Sequence, residues 1–111
     1  MTSIRCAGWW EQSGYGRQPM EDLQLVYTGR QFVGKGVDCV GVFELRGEVD
    51  GTSVSIMKQY VDAHQVLYAG TVDGEGTMSG LWSIFGVGGR WLIKVESVID
   101  ASDDIQTIVP G

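Results

Sequence analysis

Four glycines in this chain are each followed two residues later by an aromatic: Gly8-Trp10, Gly41-Phe43, Gly80-Trp82 and Gly89-Trp91. In a β-strand, residues i and i+2 share a face. Each pair therefore sets bare backbone beside a large ring on one side of a sheet. A sheet that curls sharply has use for such patches, because glycine permits the bend and leaves room for a ring from a neighbouring strand. The feature constrains shape strongly and chemistry weakly.

The rest of the chain agrees with a curved all-β structure. Its 111 residues make one domain with enough length for a core of its own, and 17 Gly against 2 Pro fit many tight turns. Strand-like alternation predicts segments at residues 5–12, 22–28, 31–34, 38–48, 53–61, 65–72, 77–85 and 90–97, with nothing that reads as a long helix. Residues 13–20 (SGYGRQPM) read as the longest loop in the body of the domain. Asp50-Gly51 and Asp73-Gly74 between alternating runs are strong hairpin signals, and Gly86, Gly88 and Gly89 read as a further turn. The expected fold is an all-β, antiparallel up-and-down meander of about eight strands. Closure into a small barrel is favoured because it removes the exposed edges. The domain is expected over residues 1–99, followed by an acidic tail, 100–111, whose Ile105, Ile108 and Val109 would pack on the body or on a neighbour.

Following the alternation outward from the glycine–aromatic pairs yields two faces. The interior face gathers Trp10, Gln12, Leu23, Leu25, Tyr27, Phe43, Leu45, Val54, Ile56, Val66, Met78, Trp82, Ile84, Trp91, Ile93 and Val95. It also carries Lys58, Tyr60, His64 and Tyr68, near the hairpin at Asp62-Ala63. A buried lysine needs a carboxylate or an opening to solvent, and Asp38 could be its counter-ion if the barrel brings them together. The polar group is either a rim of snorkelling side chains or the mouth of a ligand site. The opposite face carries Met57, Leu67, Ala69, Leu81, Phe85 and Leu92 on the last four strands, along with Val40 and Val42. A contiguous apolar patch there would fit a two-fold homodimer, or would be covered by the tail.

Several function classes lack their residues. A net charge of -6 with no Lys/Arg cluster argues against nucleic acid, and no stretch approaches the length of an apolar membrane span. Met1 leads into the first strand pattern without an apolar leader, so a cytoplasmic location is expected. Cys6 and Cys39 have no paired metal spacing, and free thiols are expected; no metal or other cofactor is expected. His64 beside tyrosines could ligate a haem iron or could simply hydrogen-bond to its surroundings. The acidic residues lie mostly at turns, and no catalytic constellation appears, so no catalytic residues are assigned.

The Gly8-Trp-Trp10 of the first strand, the meander and the late Gly89-Arg-Trp91 resemble the calycin-like barrels, avidin-like and lipocalin-like, over about residues 5–97. The stretch Lys58-Gln-Tyr60 through Tyr68-Ala-Gly70, followed by Gly80-Leu-Trp82, is similar to a pattern found in small bacterial barrels. The resemblance implies the fold without naming a substrate. The expected function is non-enzymatic binding of a small apolar or amphipathic ligand at one barrel end. Trp10, Trp82, Trp91, Tyr60 and Tyr68 would form the walls, and Lys58 and His64 the polar anchors. The alternative is a structural or interaction module whose own rings fill the interior, because a barrel of this size is just wide enough for either.

Overall fold

A computed structural model describes residues 2–99. The tail at 100–111, with Ile105, Ile108 and Val109, lies outside the described residues. Eight strands follow one another in order: β1 Thr2–Gln12, β2 Gly16–Thr28, β3 Gln31–Val37, β4 Val42–Asp50, β5 Ser53–Tyr60, β6 Gln65–Val72, β7 Met78–Ile84 and β8 Val87–Ile99. Each pairs antiparallel with its sequence neighbour, and β8 returns to β1 to close the barrel. The all-β closed meander is as expected, and closure leaves none of these strands with an unpaired edge.

The alternation sorts side chains as the sequence implied. Leu23, Leu25, Phe43, Leu45, Ile56, Trp91 and Ile93 are buried in the interior, while the residues between them face out. Glycines make this tight interior possible. A Cβ on Gly47 would overlap the ring of Phe32, its cross-strand partner. Gly80 and Gly89 instead meet backbone: Ala69 O across from Gly80, and Glu11 O across from Gly89. These two let neighbouring strands approach, whereas Gly41 has open space around it and sits in a turn.

Four local expectations need correction. Residues 13–20 are mostly strand: the hairpin occupies only Ser13–Tyr15, and Trp10 pairs with Gln18, Gly8 with Met20. The polar run SGYGRQPM concealed a strand whose end stands clear of the core. Met20 and Leu23 are both buried although three residues apart, because Asp22 takes a positive φ of 53° where the β2–β3 register shifts. That bulge resets the parity. The third strand runs on to Val37 and carries the buried Phe32. Finally, Asp38–Gly41 form a turn rather than the start of β4, and Gly88 and Gly89 belong to β8. The β7–β8 turn is only Phe85-Gly86, both with positive φ (50° and 78°), the signature of a two-residue hairpin loop whose twist matches its strands.

In such a meander the β1–β2, β3–β4, β5–β6 and β7–β8 turns share one end of the barrel. The other three turns and both chain ends of the barrel share the opposite end, so its two ends are built from different parts of the sequence.

Candidate functional site

The strand period aims Ile56, Lys58 and Tyr60 of β5 into the barrel together. Lys58 is fully buried, at 0% exposure, one inward position deeper than Tyr60. Its Nζ donates to Asp38 Oδ2 at 2.7 Å and to the Tyr68 hydroxyl at 3.1 Å. The ring centroids of Phe43, Tyr60, Tyr68 and Trp10 lie 4.2, 4.9, 5.3 and 5.8 Å from the ammonium. Their π faces add attraction where no water reaches.

Asp38 is the centre of this network, and the turn it occupies explains why. Its Oδ1 accepts from the backbone N–H of Val40 at 2.9 Å, an Asx turn that ends β3 and aims the carboxylate inward. Its Oδ2 accepts from Lys58, from the Tyr60 hydroxyl at 2.7 Å and from Trp10 Nε1 at 3.0 Å. Burial by itself would raise the Asp38 pKa. The hydrogen bonds from Lys58 and Tyr60 and the Lys58 charge outweigh it, and hold the carboxyl below its ordinary value. Lys58 is pulled below the usual ammonium value by burial, against the opposing hold of Asp38. At 2.7 Å, with Tyr60 and Trp10 donating to the same carboxylate oxygen, Lys58 and Asp38 have the geometry of a buried ion pair. Burial, first, and the Asp38 charge push the Tyr60 and Tyr68 hydroxyls upward, so both keep their protons.

Above this network lies a cavity of about 230 Å3 that opens at the same barrel end. Trp10, Tyr60, Tyr68, Trp82, Val66 and Ile84 wall it, and Gln12, His64, Val40, Phe85 and Val87 complete its lining. Trp10 and Trp82 meet edge to face, with centroids 5.7 Å apart. The polar edges of the tryptophans are already committed. Trp10 Nε1 donates to Asp38, Trp82 Nε1 to Glu11 O at 3.0 Å, and Trp91 Nε1 to Ala69 O and Leu81 O at 3.2 Å each. The two indoles in the wall therefore have no N–H left for an occupant, and what they can offer it is apolar.

Of the seven residues expected to form a ligand site, five line the cavity: Trp10, Tyr60, His64, Tyr68 and Trp82. Lys58 and Trp91 do not. Lys58 is held behind the tyrosines by Asp38, and Trp91 packs deeper against Tyr68, 5.3 Å between centroids. His64 is exposed at the rim rather than inside, its ring 5.0 Å from that of Tyr60. It precedes β6 within the turn, where strand parity no longer fixes direction. Asp38 stands where a counter-ion for Lys58 was required. Its contacts with Trp10 and Tyr60 were not readable, because they join residues 28 and 22 positions apart. Val40 and Phe85, assigned to the outer face, lie in turns that lean over the mouth.

On the outside, Met57, Leu67, Ala69 and Leu81 are exposed, Leu92 is half-buried, and Phe85 projects from the β7–β8 turn. Met57 pairs with Leu67 and Ala69 with Leu81, so the four form one patch across β5–β7. Cys6 is a buried thiol and Cys39 an exposed one. Burial pushes the Cys6 pKa up to about 11, with a smaller push from Glu96. No group of three or more His, Cys, Asp or Glu side chains suited to a metal ion occurs among the described residues.

The fold and site define a closed eight-stranded antiparallel barrel with an aromatic cavity over a buried ion pair. Comparison with protein-family models, with curated proteins and with solved structures finds no match.

Proposed function

We propose that this protein is a calycin-like carrier or sensor that holds one small apolar or amphipathic molecule in its mouth, without chemistry on it. The single observation that carries this reading is the cavity itself. It is lined mostly by aromatic and aliphatic side chains, with Gln12 and His64 among them, and its two indole N–H groups are turned away to internal acceptors. A volume of about 230 Å3 is a little below the usual span of roughly 300–1,000 Å3 for ligand pockets, so the occupant is one or two rings in size. The rival is a module with no ligand, whose interior rings serve packing alone; the fully buried Trp91, Tyr68 and Phe43 favour it for the deeper part of the barrel.

Tryptophan fluorescence and thermal melting against a panel of small aromatic and aliphatic compounds separate the two. Binding to the folded state alone raises stability by about 2.7 kcal/mol at a hundredfold excess over Kd. The expected result is a concentration-dependent rise in Tm together with a change in tryptophan emission. Indifference of both signals across the panel leaves the packing module standing. A homodimer through Met57, Leu67, Ala69 and Leu81 belongs to the same proposal, supported by the continuity of that exposed patch. Sedimentation as a monomer at high concentration would remove it.

A further inference from the structure

The Tyr68 hydroxyl accepts a hydrogen bond from Lys58 Nζ, and among the described residues its own proton has no acceptor. The other hydroxyl and indole donors of the wall are committed: Tyr60 donates to Asp38, as does Trp10, and Trp82 donates to Glu11 O, while Gln12 and His64 also line the cavity. The residue is 2% exposed, so bulk water is not its ordinary partner, yet it lines the cavity. A buried hydroxyl proton without an acceptor costs free energy that a well-placed partner recovers.

We propose that Tyr68 donates this proton to a carbonyl oxygen of the bound molecule, so that the pocket selects flat, neutral carbonyl compounds over hydrocarbons of the same shape. The inference rests on the binding role proposed above and names the chemistry of its occupant. The Lys58 ammonium bonded to the tyrosine oxygen withdraws electron density from the O–H and makes it a stronger donor, the cooperative effect expected in a low-dielectric chain. Neutrality follows from the charge balance. Asp38 and Lys58 already compensate each other, and among the residues that line the cavity there is no lysine or arginine to pair with a further buried anion. The walls favour a flat ring, since the indoles of Trp10 and Trp82 offer faces and edges rather than hydrogen bonds.

The test compares indane with 1-indanone, near-isosteres that differ in one carbonyl, by calorimetric titration of the wild-type protein and of Tyr68→Phe. The expected result is about tenfold tighter binding of 1-indanone to the wild type, with the preference lost in Tyr68→Phe while indane binds as before. Equal affinity of the two probes for the wild type, or a preference that survives in Tyr68→Phe, overturns the role of Tyr68 and leaves the pocket reading intact. Binding of neither probe overturns both. Should Tyr68→Phe fail to fold, the infrared carbonyl stretch of 1-indanone bound to the wild type decides. A frequency below that in cyclohexane supports the hydrogen bond, and an unshifted one overturns it.

Discussion

The two ends of this barrel obey the same strand alternation and are filled in opposite ways. At the end away from the cavity, Phe32, Tyr27, Val54, Met78 and Ile4 pack into a plug of rings and aliphatic chains. Among the described residues its Tyr27 hydroxyl donates only to the sulfur of Met78, at 3.9 Å. At the mouth, the same inward positions carry Lys58, Tyr60 and Tyr68, and the Asp38 turn reaches in to meet them. A barrel of eight strands can be closed by side-chain volume alone, as the plug demonstrates. Charge at the mouth is therefore more than closure requires, and it is arranged beneath the space that remains open. A plug of hydrocarbon would suit a purely structural module at both ends.

Breaking the charged end is expected to have the largest effect. Asp38→Ala leaves the fully buried Lys58 without its counter-ion, and a loss of about 3–5 kcal/mol is expected in chemical denaturation. The double variant Asp38→Ala with Lys58→Met should recover much of that loss, since it replaces the pair rather than orphaning one member. Failure of the double variant to recover would mean that the pair is itself a main source of stability. At the plug, Gly47→Ala forces a methyl into the Phe32 ring, and an overpacking cost of about 1–3 kcal/mol is expected, with no change in ligand binding at the mouth. A change in binding would show that the two ends are coupled.

The smallest effect is in acid. Asp38 has a folded pKa below its unfolded one, so the stability it contributes is complete above the unfolded value near 4 and is lost as pH falls through the folded value. Wild-type stability should therefore decline below about pH 4 more steeply than that of the Asp38→Ala, Lys58→Met double variant. Equal slopes would indicate that other carboxylates carry the acid response.

Much of this contrast was legible from residue order, because parity is a local property. Strand alternation followed outward from the glycine–aromatic pairs assigns Trp10, Lys58, Tyr60, Tyr68 and Trp82 inward, hairpin signals imply the meander, and the cost of exposed edges favours its closure. Parity fails where the backbone breaks it. The Asp22 bulge brings Met20 in, and the turns holding His64, Val40 and Phe85 release side chains from any strand face. Phe32 was passed over because Gly34 and Gly36 dilute the apolar signal of β3, although a Cβ on Gly36 would come within 2.7 Å of the Phe43 ring. Asp38 needed both a turn and a barrel closed around it before Trp10 and Lys58 could reach it. The sequence does name Asp38 as a possible counter-ion for Lys58, and the pair forms, but the hydrogen bonds of Asp38 with Trp10 and Tyr60 leave no trace in local pattern.

The central claim is that the mouth, and not the outer face or the plug, takes a small molecule. Amide and indole resonances of the 15N-labelled protein, followed during titration with 1-indanone, test it directly. Saturable shifts should appear at the indoles of Trp10 and Trp82 and the amides of Tyr60, His64 and Val66, with Phe32 and Met78 unmoved. Shifts confined to Met57, Leu67 and Leu81 on the outside, or no saturable shift at all, would contradict it.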